Sequence, residues 1–297
     1  MHKDHINMTT SFEHQDQTGF SSWEQAVQWL RDQPDRRDLV LAAYYDDPLE
    51  SAAERYWRSE EWQAIEPLLP TGRGAALDVG AGRGIASYAL AKSGFKVTAL
   101  EPDGSALVGA GAIRSLAANT GLAIDVTQEF SERLPFPDSQ FDVVFARAVL
   151  HHTKDLQAAC REFLRVLKPG GRLIAVREHV ISSPDDLPAF FNLHPLHKLY
   201  GGENAFLLAQ YEDAIRGAGL RLNAVLKPLE SPINFAPHTL SGLKAELASR
   251  ASRGLPGLRH LVQGALALPP IWSLARLLLA YVDHRPGRLY SFVAERP

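Results

Sequence analysis

Cysteine is nearly absent: Cys160 is the only one in 297 residues. That excludes an internal disulfide and suits a reducing cytoplasm. Charge of one sign is scarce too, with 31 Lys and Arg against 34 Asp and Glu and a formal net of −3. Such a balance offers no global attraction to nucleic acid or acidic membranes, so any partner of that kind needs a local patch. The opening MHKDHINMTTSFEHQDQ has no apolar core of a secretory signal. His2, His5 and His14 within it read as a disordered polar lead-in, not as a metal site. The longest apolar stretch, Leu261 to Val282, is broken by Gln263, Pro269-Pro270 and Arg276. A membrane-spanning helix wants about 20 mostly apolar residues, so at most a peripheral membrane contact is expected. There is no internal repeat and no low-complexity tract.

What is present is ordinary for a globular chain, 45% hydrophobic and 22% charged, and long enough to bury a full core. Residues 20–69 read as helical, with Trp23, Ala26, Val27 and Leu30 on one face and Pro34 and Pro48 as breaks. After Pro70-Thr71-Gly72 short β-rich runs alternate with helical patterns. Strands are expected at 75–79, 96–100, 124–127 and 141–146, in GRLIAVRE, at 220–226 and at 288–295. Helices are expected at 85–92, 105–119 and 205–217. A further one carries Leu156, Cys160, Phe163, Leu164 and Leu167 and is stopped by Lys168-Pro169-Gly170-Gly171. The alternation predicts an α/β, doubly wound, mostly parallel seven-stranded sheet with right-handed crossovers.

Leu77-Asp78-Val79-Gly80-Ala81-Gly82-Arg83-Gly84 sits at a strand end and opens a helix. Glycines there allow tight turning and close backbone approach, and the helix N-terminus offers unpaired N–H groups. The bland reading is a simple strand-to-helix turn. Spacing separates two cofactor readings. The nicotinamide fingerprint G-x-G-x-x-G/A would need Gly or Ala at Ile85, whereas the glycines here stand at 80, 82 and 84. The second strand ends at Leu100-Glu101-Pro102, where a carboxylate can accept both hydroxyls of a ribose.

ALDVGAGRG, ALEPD, ERLPFPDSQFDVV, VLHHTKD and EFLRVLKPGGRLI, in that order, resemble the class I S-adenosylmethionine-dependent methyltransferases. The likeness is to the small-molecule branch, quinone and sterol methyltransferases included, and covers about Ala75 to Glu178. It implies a Rossmann-like fold and the cofactor S-adenosyl-L-methionine, with S-adenosyl-L-homocysteine as product. It also implies that Asp78, Gly80, Ala81 and Gly82 hold the methionine end, Glu101 the ribose, and Pro102 the edge of the adenine. Ser131 and Glu132 match the segment bordering that ring, and Arg147 a position near the methyl group. One departure stands at Phe130, where many relatives carry aspartate, so adenine recognition would use backbone groups around Ser131. No asparagine-proline-proline-tyrosine motif of amino-directed methylases follows the fourth strand; Ala146-Arg147-Ala148-Val149 stands there, and no nucleic-acid substrate is expected.

Methyl transfer from a sulfonium asks chiefly for alignment and exclusion of water, which positioning supplies to about 7–11 kcal/mol. A general base is needed only for an acceptor that arrives protonated. His152, His179, His194 and His197 are the candidates, and no metal is required in principle. His151-His152 follows the fourth strand, where a structural hydrogen-bonding role competes with catalysis. For Glu178-His179 and the polar run from His194 to Asn204 three readings stand: a substrate pocket with a base, a divalent metal, or a capped loop. Between 244 and 288, Lys244, Arg250, Arg253, Arg259, Arg276, Arg285 and Arg288 face only Glu246 and Asp283. With the apolar Ile271 to Val282 beside them, this suits a lid for a small acidic or amphiphilic acceptor, or loose contact with a membrane surface. Tyr44, Tyr45, Tyr56 and Trp57 read either as a lid or as core.

The expected organisation is a helical cap over 1–69, its first 18 residues disordered. A methyltransferase domain follows over 70–230 plus 288–297, with a helical insert over 231–287 on the substrate side. The expected activity is methyl transfer to a small molecule, oxygen preferred over nitrogen or carbon, in the cytoplasm. The alternatives are a silent cofactor-binding module and an NAD-dependent oxidoreductase.

Overall fold

The computed structural model describes residues 19–252 and 257–297. The readings made for the first eighteen residues and for Arg253 lie outside them. The chain builds β1 (Ala75–Val79), β2 (Lys96–Leu100), β3 (Ile124–Thr127), β4 (Phe141–Arg147), β5 (Leu167–Ile181), β6 (Phe206–Leu207), β7 (Arg221–Leu226) and β8 (Arg288–Glu295). All join one sheet in the order β3-β2-β1-β4-β5-β8-β7, with β6 beside β5. Pairing is parallel except for β8, which runs antiparallel to both β5 and β7. The fold is the expected Rossmann-like α/β sheet with flanking helices, but the strand count is eight, not seven. The extra strand is two residues long and pairs only Phe206 with Val180 and Leu207 with Ile181. That is too short for any period-2 signal.

Two apolar layers cover the sheet, one on each face. Alternate residues of β4 show why: Val143 and Phe145 join one cluster, Val144 and Ala146 the other. The first layer packs against the helix Ile85–Lys92, the helix Ala110–Thr120 and the amino-terminal helices. The second packs against the helices Leu156–Val166 and Leu208–Gly217. Two helices start later than their periodicity suggests. Ser105 spends its hydroxyl on the N–H groups of Leu107 and Val108, so the helix begins at Ala110. Phe206 and Leu207 are drawn into the sheet, so the next helix begins at Leu208.

β5 runs further than GRLIAVRE, to Ile181, because β8 pairs with it along most of its length. The register shifts between Ala175 and Glu178, and Arg177 takes a φ of 62° within that bulge. Ahead of the sheet lie helices Trp23–Arg31, Arg37–Ala42, Leu49–Trp57 and Glu60–Ile65. Ser22 and Ser59 cap two of them through their side chains. Between β7 and β8 come Pro232–Phe235, Leu240–Ala251, Leu258–Ala267 and Pro269–Val282. The last two meet at a bend of 100°, and no single helix among the described residues is long and apolar enough to cross a membrane.

Candidate active site

β1 lies between β2 and β4, the point where the order of strands reverses, so a crevice opens beyond its carboxyl end. A cavity of about 1010 Å³ occupies that crevice. The glycine turn forms its floor. Gly80 has φ +59°, and a Cβ there would lie 2.7 Å from a methyl of Val149, so a side chain is excluded twice over. Glu101 stands opposite, at the end of β2. Its two carboxylate oxygens accept the N–H of Gly82 at 2.7 Å and of Asp103 at 2.9 Å. Each oxygen keeps a lone pair for a further donor, so the carboxylate is oriented before any ligand arrives. Burial raises its pKa, against the pull of those two N–H groups. Asp78 is buried and accepts the hydroxyl of Ser87 at 2.5 Å; burial pushes its pKa up to about 7.

The amino-terminal helices form the opposite wall, and three arginines, one buried and two part-buried, tie them down. Arg83 of the glycine turn donates to the carbonyls of Tyr44 and Asp46 at 2.9 and 3.0 Å and to Asp47 at 2.6 Å. Arg147, at the end of β4, meets Glu61 at 2.7 and 3.1 Å through two N–H groups. Arg177, from the bulge, lies 4.0 Å from the same carboxylate and donates to the carbonyls of Ile233 and Ala236. Tyr44 and Tyr45 line the cavity, whereas Tyr56 is fully buried core and Trp57 packs beside Lys92. The aromatic group thus divides between wall and core.

The far end of the cavity carries imidazoles. Glu178, fully buried, accepts the backbone N–H of Val149, Leu150 and His151 at 3.1 Å each and the Nδ1–H of His151 at 2.7 Å. This carboxylate holds the loop after β4 in place. Burial alone would lower the pKa of His151, but Glu178 and Glu203 outweigh it and bring it to about 9. Glu203 goes the other way: burial would raise it, yet the surrounding imidazoles pull it down to about 2. His152, His179 and His194 are all lowered, by burial first, so they stay neutral near pH 7.

All nine residues expected at the cofactor, Asp78, Gly80, Ala81, Gly82, Glu101, Pro102, Ser131, Glu132 and Arg147, line this one cavity. So do His152, His179 and His194. His197 does not join them; its ring stacks on Phe191 with centroids 4.2 Å apart. Arg147 reaches the cavity with its guanidinium already engaged by Glu61. Phe130 is exposed at the cavity rim, and Ser131 beside it is buried. Sequence reasoning missed Arg83, Glu61 and Arg177. Glu61 follows the capping Ser59 and reads as a solvated acid favouring a helix N-terminus, which hides its burial.

A doubly wound sheet, a glycine turn at its switch point and an acid closing β2 define a nucleoside-binding α/β domain. Residues 77–175 match the family described as "Methyltransferase domain", in keeping with an S-adenosylmethionine-dependent methyltransferase. It is 38% identical over 122 residues to a demethylmenaquinone methyltransferase of Mycolicibacterium paratuberculosis, covering 41% of this chain and 47% of that one. A ubiquinone/menaquinone biosynthesis C-methyltransferase of Nitrobacter hamburgensis is 27% identical over 195 residues, covering 59% and 76%. An uncharacterised Escherichia coli protein is 51% identical over 53 residues, covering 18% and 26%. The chain thus spans less than half the length of the first and third of these relatives. Among solved structures, a geranyl diphosphate methyltransferase superposes with a TM-score of 0.55 at 20% identity, covering 85% of this chain and 92% of that one. The (4+2)-cyclase SpnF gives 0.53 at 22%, covering 83% and 81%. Those two likenesses are of fold.

Proposed function

We propose that this protein transfers the methyl group of S-adenosylmethionine to a small-molecule acceptor held at the imidazole end of the cavity. The observation that carries the reading is Glu101, oriented by two backbone N–H groups across from the glycine turn, in one cavity with every other residue assigned to the cofactor. Glu101 would take the ribose hydroxyls, the turn the methionine end, and the backbone around Ser131 the adenine. The quinone-methylating names of the relatives support a small aromatic or isoprenoid acceptor. Oxygen is the favoured acceptor atom, because neutral His179 faces the cavity with Nδ1 held by the carbonyl of Gly287 and Nε2 free to receive a hydroxyl proton.

Residues 19–69 would act as the cap, and 231–287 as an insert on the substrate side, supported by Pro237 in the cavity wall. Nine of the twelve exposed large hydrophobic side chains among the described residues lie between 258 and 282, alongside Arg259 and Arg276 and no acid. This supports an amphiphilic acceptor met at a lipid surface. The buried thiol of Cys160 agrees with a cytoplasmic setting.

Calorimetric titration with S-adenosylhomocysteine beside NADH tests the cofactor. Binding of the first alone is expected, and binding of NADH alone would overturn the reading. Turnover on a panel of quinols and isoprenoids then separates an enzyme from a silent binding module.

A further inference from the structure

Four imidazoles, those of His151, His152, His179 and His194, gather around the single carboxylate of Glu203. Neighbouring ring centroids lie 4.2, 4.7 and 4.9 Å apart. Three of the rings have Nδ1 pinned by an acceptor. For His151 it is Glu178 at 2.7 Å, for His152 the carbonyl of Gly202 at 2.9 Å, for His179 the carbonyl of Gly287 at 3.0 Å. A group that only accepts requires the proton on Nδ1, which leaves the Nε2 lone pair of each neutral ring unspent. Nε2 of His151 and Nε2 of His152 both face one oxygen of Glu203, at 3.4 and 3.6 Å. With no ion present the proton of His151 lies between its Nε2 and that oxygen; a cation binding there would displace it.

From this convergence we infer that His151, His152 and Glu203 form a binding site for a divalent first-row transition ion of the Zn²⁺ kind. Imidazole nitrogen and carboxylate oxygen are the ligand types such an ion takes, and tetrahedral bonds of about 2.0–2.2 Å set ligand atoms roughly 3.4 Å apart. The two nitrogen–oxygen spacings match, and the three ligand atoms all lie within 4.8 Å of one another. Glu178 supplies the outer carboxylate that characteristically orients a metal-bound histidine. Three protein ligands leave a coordination position open. The ion's Lewis acidity would act on an acceptor oxygen, while Nε2 of His179 stays available for its proton. That catalytic consequence rests on the methyl-transfer reading; the binding itself does not.

The full chain, stripped with a chelator, is titrated with Zn²⁺ alone and with Co²⁺ alone. Calorimetry reports stoichiometry, and visible absorption reports the Co²⁺ ligand field. One ion per chain is expected, with a nitrogen–oxygen tetrahedral Co²⁺ spectrum. Affinity should fall more than about 100-fold in His152→Ala and Glu203→Gln, and about 10–100-fold in Glu178→Gln. S-adenosylhomocysteine binding serves as the fold control. Should a buried variant fail it, His152→Ala, altering a partly exposed ring, still decides the matter. Absence of stoichiometric binding, or affinities unchanged in His152→Ala, would overturn the metal site. A proton on Nε2 of His151, seen by nitrogen NMR and persisting with Zn²⁺ present, would do the same. Bound Co²⁺ with no affinity for S-adenosylhomocysteine would instead sink the cofactor reading and leave the ion site standing.

Discussion

Glu178 holds His151 twice, through the backbone N–H at 3.1 Å and through ring Nδ1 at 2.7 Å. Because the same carboxylate also accepts Val149 and Leu150, one side chain of β5 sets the conformation of the loop that follows β4. Replacing it by alanine strands three backbone donors and a buried imidazole. Glu178→Ala should lose about 3 kcal/mol or more in urea unfolding, and Glu178→Gln less, since its amide oxygen still accepts. Equal stability of wild type and Glu178→Ala would show that the loop is held by other means.

Glu101→Ala should weaken S-adenosylhomocysteine about 100-fold, the loss of charged hydrogen bonds to two hydroxyls. Melting temperature in the absence of ligand reports whether the turn survives, since Gly82 and Asp103 also lose their acceptor. Unchanged affinity in a folded variant removes the ribose assignment.

Glu61 is buried between Arg147 and Arg177, so taking it away leaves two guanidinium groups without their shared counter-charge. Glu61→Ala should cost about 3–5 kcal/mol, and Arg147→Met alone a comparable amount. In the double variant the two losses should be far from additive, because both break one contact. Additive losses would mean that the pair is not coupled.

The imidazole cluster makes stability depend on pH in a chelator-treated sample. His151, raised from 6.5 to about 9, contributes stability that is complete below pH 6.5 and fades as pH climbs through 9. Glu203, lowered from 4.5 to about 2, contributes stability present above pH 4.5 and lost as pH drops through 2. His152, His179 and His194, lowered in the fold, oppose this by favouring higher pH, so the wild-type profile is a composite. The comparison that isolates one group is His151→Gln against wild type. The melting-temperature gap should be wide at pH 6 and narrow at pH 9; a gap that is constant across this range contradicts the pairing of His151 with the two glutamates.

Leu277 and Leu278 are exposed on the helix Pro269–Val282, near Arg276. Co-sedimentation with anionic vesicles at low salt should be seen for the wild type and should fall tenfold or more in Leu277→Ser/Leu278→Ser, given about 1.5–3 kcal/mol for each leucine buried in lipid. Wild-type protein that stays in the supernatant removes the lipid-surface proposal.

The periodicity of single segments was enough to place β1, β2, β3 and β8, because a run such as AALDV or RLYSFVAE carries its strand period and its turn signals within itself. The glycine turn and Glu101 were legible for the same reason: local spacing encodes a local conformation. Nothing local foretells that Glu61 sinks between two arginines from distant strands, or that Glu203 draws four imidazoles around one carboxylate. Nor does it foretell that β6 adds two residues to an edge of β5. Those relationships join residues as distant in the chain as Glu61 and Arg177, and desolvation, not propensity, sets their energies. Tertiary structure alone chose which polar side chains would leave water, and with them the chemistry of the cavity's far end.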